Sequence, residues 1–153
     1  MSQSSQVSVA ACEGTPCGTW QRGNLQNNTM RIRATGLVIR HSAVLMVREY
    51  TGMWLLPGGS VAHDELSIIA AIRELYEETG VEARAAAFLF EHVSAHHVHH
   101  VYRMVIPDHA RVRSGLEVDS VQWVDHRELF DWRTTPGTRA IVARAFSKAP
   151  VLG

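Results

Sequence analysis

Cysteine is nearly absent: only Cys12 and Cys17 occur in 153 residues, too few for a disulfide framework. They flank Glu13-Gly14-Thr15-Pro16 in a polar stretch, so reduced, incidental thiols are expected rather than a bridge or a metal site. No apolar run is long enough to span a bilayer, and the N-terminus lacks the basic-then-apolar pattern of a secretory signal, so the expected compartment is cytoplasmic. An excess of either charge is also missing. Fifteen Lys and Arg balance 15 Asp and Glu, which removes the electrostatic footprint expected for long nucleic acid or an anionic membrane and leaves room only for a local basic pocket. There is no internal repeat. An apolar content of 46% is that of a soluble globular chain, and this length suits one domain with a substantial core.

Residues 1–29 are rich in Ser, Gln, Asn and Gly without periodicity and read as an extension, with Trp20 its one large apolar residue. The domain is expected over 30–153. Residues 32–39 and 43–48 are β-prone runs joined by Arg40-His41-Ser42, a hairpin pattern. Trp54-Leu55-Leu56 forms a third short strand, broken by Pro57-Gly58-Gly59. Further strands are expected over 85–93, 98–106 and 118–124, then a short turn or helix capped by Asp125. A closing helix over 138–147 turns Ile141, Val142, Ala145 and Phe146 inward. Strands, a helix, more strands and a final helix imply an α/β fold with a mixed sheet flanked by helices.

Between the third and fourth strands, residues 66–79 hold no Gly or Pro and are rich in Ala, Ile, Leu and Glu, which predicts a helix ended by Gly80 in the left-handed conformation. Ile68, Ile72, Leu75, Tyr76 and Thr79 form the stripe expected to face the core, with Glu74, Glu77 and Glu78 roughly opposite. These three carboxylates share a patch of helix surface, each like-charged pair costing about 0.2–0.5 kcal/mol. Two of them sit in the last turn, where the helix dipole disfavours anions. A carboxylate cluster in so unfavourable a place implies that cations belong with it, and an all-oxygen donor set suits Mg²⁺ or Mn²⁺ better than zinc.

Gly59, Glu65, Arg73, Glu74, Leu75, Glu77, Glu78, Gly80 and Val81 stand at the spacings of the Nudix box, and the chain resembles the Nudix (MutT-like) hydrolases through all nine positions. The surrounding strand pattern extends the resemblance from about Arg31 to Phe146. It implies the Nudix α/β/α sandwich and a pyrophosphohydrolase acting on a nucleoside diphosphate linked to another moiety: a nucleoside triphosphate, nucleotide sugar, ADP-ribose or dinucleoside polyphosphate. Marks of particular subfamilies are not evident.

By the same resemblance, Glu77 and Glu78 are metal ligands, joined by the Gly59 carbonyl. Glu74 is either a ligand or the general base, Arg73 orients Glu74, and Glu65 braces the loop-helix-loop that Gly80 closes. Many family members carry a further acid before a late apolar-aromatic strand; Glu117 is the candidate and Asp119 its competitor. Many are homodimers, so a homodimer is the implied assembly. Arg48, Trp54 and Tyr102 are candidate substrate contacts, with Trp123 and Trp132 as further stacking surfaces; Trp54 in the core and Arg48 as a solvated charge are the plainer readings. The isopentenyl diphosphate isomerases share the fold but need a core cysteine, which this chain lacks. A non-catalytic nucleotide-binding module is the alternative from another class, and such modules usually show a damaged box.

His96-His97-Val98-His99-His100 invites a zinc site. Strand alternation places His96 and His100 on one face and His97 and His99 on the other, so the four cannot converge on one ion. A histidine that contacts substrate or phosphate, or a half-exposed strand surface, remains.

Overall fold

The computed structural model describes residues 29–147. The expectations for Cys12, Cys17, Trp20 and the rest of 1–28 lie outside the described residues. Eight strands and two α-helices follow in the order β1 (Arg31–Leu37), β2 (Ile39–Arg40), β3 (Ala43–Arg48), β4 (Trp54–Leu55), β5 (Gly58–Ser60), α1 (Ser67–Thr79), β6 (Ala85–Val93), β7 (His97–Val105), β8 (Ser120–Asp125) and α2 (Pro136–Ser147), with a 3₁₀ turn at Leu129–Asp131.

The expected mixed sheet is present, and a second sheet accompanies it. One is mixed, in the order β5-β1-β7-β6, with β1 and β7 parallel and the other pairs antiparallel. The other is antiparallel, with β3 pairing β2, β4 and β8. The run expected as one strand over 32–39 breaks at Val38, β1 pairing in the first sheet and β2 in the second. Val38 spans the break, its carbonyl accepting Leu45 N–H at 3.0 Å. Gly58 and Gly59, expected only as a turn, form β5 opposite Thr35 and Ala34; long-range pairing overrides glycine's poor strand propensity.

Alternation along β1 and β7 builds two cores. Ala34, Tyr102 and Met104 pack against Ala70, Ala71 and Leu75 of α1. Leu37 and Val101 face the other way, towards Val44, Met46 and Val124 of the second sheet and Ile141 and Val142 of α2. The layering is the expected α/β/α sandwich. Burying a side chain such as Leu75, which is 0% exposed, contributes about 2–3 kcal/mol, which is what holds α1 despite its acidic last turn.

Helix ends follow local chemistry. Gly80 terminates α1 at φ 73°, its N–H donating to the Tyr76 carbonyl at 2.8 Å, as predicted. α2 starts two residues earlier than expected because Pro136 suits a first helical position; Thr135 Oγ1 accepts Thr138 N–H at 3.2 Å. Asp125 caps its turn, Oδ1 accepting Arg127 N–H at 2.9 Å. Among the described residues no helix is long and apolar enough to cross a membrane.

Candidate active site

The face of α1 that meets the sheet edge carries carboxylates. Glu74 and Glu78 are buried at 8% and 7% exposure, while Tyr76 is 54% exposed, reversing the expectation that Tyr76 faces the core and these acids face away. The cause is β5. Gly58 and Gly59 present backbone where other strands present side chains, so carboxylates fit beneath it. Gly58 N–H donates to Glu78 Oε2 at 3.0 Å. A Cβ on Gly59 would overlap the Glu74 carboxylate, and one on Gly58 the Ala34 carbonyl.

Arg73 holds the acids in place. Its Nε and Nη2 donate to both Glu65 oxygens at 2.9 and 3.0 Å, and Nη1 donates to Glu74 Oε1 and Glu77 Oε2, each at 3.1 Å. Nη2 also reaches the Ser60 carbonyl at 3.3 Å. The planar fork makes such multiple engagement possible. The Arg73 hydrogen bonds, helped by Ala62 N–H, hold the Glu65 carboxyl down at about 2. Glu74 moves the other way: burial raises its pKa against the pull of Arg73. Burial pushes Glu78 up to about 8, with Gly58 N–H and then Arg33 opposing.

Glu117 arrives from a loop that closes the end of α1. Arg113 N–H donates to the Thr79 carbonyl and Gly115 N–H to the Glu78 carbonyl, both at 3.0 Å, satisfying C-terminal carbonyls of the helix. Gly115 is packed so tightly that a Cβ would overlap the Glu77 carbonyl. Two residues later, Glu117 brings an oxygen to within 4.8 Å of ligand atoms on Glu74 and Glu77. Asp119, its competitor in the sequence, pairs instead with Arg48 at 2.9 Å. Three convergent carboxylate oxygens at the negative end of a helix, with no basic residue in its last turn, fit a hard divalent cation.

On the α2 side of the mixed sheet lies a cavity of about 540 Å³, its wall including Arg33 and Thr35 of β1, Leu55 and Leu56, His97 and His99 of β7, and the first turn of α2. Arg33 links the two regions, since it lines the cavity and also acts electrostatically on Glu78. None of the three expected substrate contacts lines this cavity. Trp54 is core, packed edge-on against Trp132 at 4.8 Å. Arg48 pairs with Asp119 and sits over Trp54 at 5.4 Å. Tyr102 is buried beneath α1, on the opposite face of the sheet. Trp123 lies under Arg40 at 4.5 Å; among the described residues the aromatic rings that line the cavity are histidines.

Those histidines divide as strand alternation requires, except that β7 begins at His97, leaving His96 in the preceding turn, where it joins His97 and His99 at the cavity. His100 faces α1, its Nδ1 3.0 Å from Ser67 Oγ. Among the described residues, the one group of three ligand side chains close enough to share an ion is Glu74, Glu77 and Glu117. Sequence reasoning missed Arg33, Thr35 and Gly115. The first two share a strand face with Leu37, a signal visible in their two-residue spacing; Gly115 carried none.

The NUDIX domain family model matches residues 30–145. CTP pyrophosphohydrolase of Escherichia coli is 29% identical over 91 residues, 58% of this chain and 67% of that protein. Mouse diphosphoinositol polyphosphate phosphohydrolase 2 is 35% identical over 69 residues, 42% of this chain and 38% of that protein, so the match leaves most of the latter unspanned. Among solved structures, a Nudix hydrolase family member from Chromobacterium violaceum superposes with a TM-score of 0.69 at 27% identity, covering 77% of each chain. With an intact box folded as a loop-helix-loop over convergent carboxylates and a domain match across all the described strands, the chain belongs to the Nudix hydrolase family.

Proposed function

We propose that this chain is a pyrophosphohydrolase that cleaves a phosphoanhydride bond of a nucleoside diphosphate linked to another group, with Mg²⁺ or Mn²⁺ as cofactor. The observation that carries the reading is the convergence of Glu74, Glu77 and Glu117 within 4.8 Å, beside a cavity large enough for a nucleoside. Glu78 lies outside that group of three but feels the charges of Glu74 and Glu117, and would add a fourth carboxylate when ionised. When bound, a divalent cation supplies positive charge to the phosphate oxygens and acidifies a water.

The chain's own residues would do the rest. Arg73 fixes the Glu74 and Glu77 carboxylates in direction, and Glu65 fixes Arg73. Glu74 and Glu117 are the candidates for accepting the proton of the attacking water. Arg33 lines the cavity and acts on Glu78, so it would meet a phosphate oxygen of a nucleotide whose nucleoside occupies the cavity. Among the described residues one arginine, Arg33, lines it, which suits a nucleoside and offers little to a ring bearing many phosphates. The similarity to a CTP pyrophosphohydrolase puts nucleoside triphosphates first among substrates.

The test is product analysis on nucleoside triphosphates, ADP-ribose, dinucleoside polyphosphates, nucleotide sugars and a diphosphoinositol polyphosphate, with Mg²⁺, Mn²⁺ or chelator. Cation-dependent cleavage of a nucleotide class is expected. Nucleotide binding without cleavage would favour a regulatory module, and cleavage of the inositol compound alone would overturn the nucleoside reading.

A further inference from the structure

The cavity wall contains a chain of polar groups, Ser94, His99 and Thr35, that pass hydrogens from one to the next. Ser94 Oγ donates to the His97 carbonyl at 3.0 Å and accepts His97 N–H at 3.1 Å. A serine hydroxyl has one hydrogen; when that hydrogen goes to the His97 carbonyl, Ser94 accepts from His99 Nε2, 3.2 Å away. In that arrangement, the one adopted below, the hydrogen of the contact sits on His99 Nε2. His99 is kept neutral, its pKa pushed down to about 4 by burial and then by Arg33, His97 and His92. A neutral imidazole protonated on Nε2 has a bare Nδ1, so Thr35 Oγ1, 3.0 Å away, donates to it. In this tautomer the hydroxyl of Thr35, a cavity-lining residue that is 1% exposed, has lone pairs and no hydrogen left to offer.

Packing holds this arrangement. Gly137 in the first turn of α2 lies over the relay, where a Cβ would come within 3.3 Å of Ser94 Cβ and 3.9 Å of His99 Nε2. Glu49, also on the cavity wall, adds further acceptor oxygens. Around them Leu55, Leu56 and Ile141 supply apolar walls for a flat ring.

We propose that Thr35 is a specificity-determining residue whose hydroxyl, aimed by the Ser94–His99 relay, accepts a hydrogen bond from the exocyclic amino group of a nucleobase in the cavity. Cytosine and adenine nucleotides are then preferred over uracil and hypoxanthine nucleotides. In each pair the amino group is replaced by a carbonyl, so lone pairs would face lone pairs with no hydrogen between them, and a buried acceptor would lose its partner. His99 is a positioning residue, acting through Thr35. The inference rests on the reading of the cavity as the nucleoside subsite.

The experiment is calorimetric binding of CMP against UMP and of AMP against IMP, in chelator so that neither cation nor turnover enters. It uses the wild-type chain, Thr35→Val and His99→Leu, each shown to be folded by its thermal melt. The wild type is expected to bind the amino member of each pair about 10-fold more tightly. Thr35→Val should level both pairs. His99→Leu should shrink the preference, because the freed hydroxyl can turn and donate. With a hydrolysed substrate, Thr35→Val should move KM and leave kcat. Equal wild-type binding within both pairs, or a preference that survives Thr35→Val, overturns the inference alone. Failure of all four nucleotides to bind overturns the nucleoside reading of the cavity and this inference with it.

Discussion

Gly59 and the Glu74 carboxylate occupy a space that leaves no room for a Cβ. The box glycine is therefore a spatial requirement of the acid cluster as much as a loop residue. Gly59→Ala must displace either β5 or Glu74, and the side chain is the softer of the two. Misplacing a reacting group by about 1 Å costs about 100-fold in rate, so turnover should fall by that order while the circular dichroism stays native. Wild-type turnover in a folded Gly59→Ala variant would show the contact to be incidental.

Arg73→Lys separates charge from geometry. Lysine keeps the positive charge but has no planar fork, so it cannot hold Glu65, Glu74 and Glu77 together as Arg73 does. Loss of such supporting contacts typically lowers metal affinity or activity about 10- to 100-fold, and a drop of that size in kcat and in Mn²⁺ affinity is expected. The Arg73 side chain is 36% exposed, so solvent screening keeps the stability change small, on the order of 1 kcal/mol. A large fall in melting temperature with unchanged cation affinity would recast Arg73 as purely structural.

Much of this was legible in the sequence, and the exceptions have physical causes. Strand β6 falls where strand propensity placed it, and α1 ends at Gly80 as glycine's conformational freedom required. The orientation of Glu74 and Glu78 was not legible. A hydrophobic stripe locates the inner face of a helix only where that face meets side chains, and here it meets the bare backbone of Gly58 and Gly59. The box spacing named the acids without showing that two would be buried. The cavity depends on the parallel register that sets Arg33 opposite His99, a pairing across more than sixty positions that local patterns cannot encode. The histidine run was conspicuous, yet only that register distinguishes the relay histidine from its neighbours.

Buried Glu78 and half-buried His99 should give the cation-free protein opposing pH dependences. Glu78 has a folded pKa of about 8 against 4.5 for the free group. Its raised value means that stability is full below pH 4.5 and is lost as pH rises towards 8, by about 5 kcal/mol at most. His99 has a folded pKa of about 4 against 6.5. Its contribution is full above pH 6.5 and is lost as pH falls towards 4, by about 2 kcal/mol after allowing for partial exposure. Melting temperature against pH should therefore show both limbs, with Glu78→Gln flattening the alkaline one and His99→Leu the acid one. Addition of Mg²⁺ or Mn²⁺ near pH 8 should raise the wild-type melting temperature. An alkaline limb that survives Glu78→Gln would assign it to another group.

Gly115 is the least obvious member of the site, and its replacement tests how Glu117 reaches the other acids. Gly115 N–H donates to the Glu78 carbonyl at 3.0 Å, and a Cβ would overlap the Glu77 carbonyl. Gly115→Ala must therefore lift the loop off the end of α1 and carry Glu117 away from Glu74 and Glu77. Loss of one carboxylate from three should weaken Mn²⁺ binding about 10- to 100-fold. The helix end, still closed by Gly80 and by the Arg113 N–H, should keep most of its stability. Glu117→Gln supplies the control: if the loop acts only by delivering this carboxylate, the two variants should lose the same affinity, and the double variant should lose no more than either one. Additive losses would mean that Gly115 supports the cluster through Glu77 or Glu78 independently of Glu117.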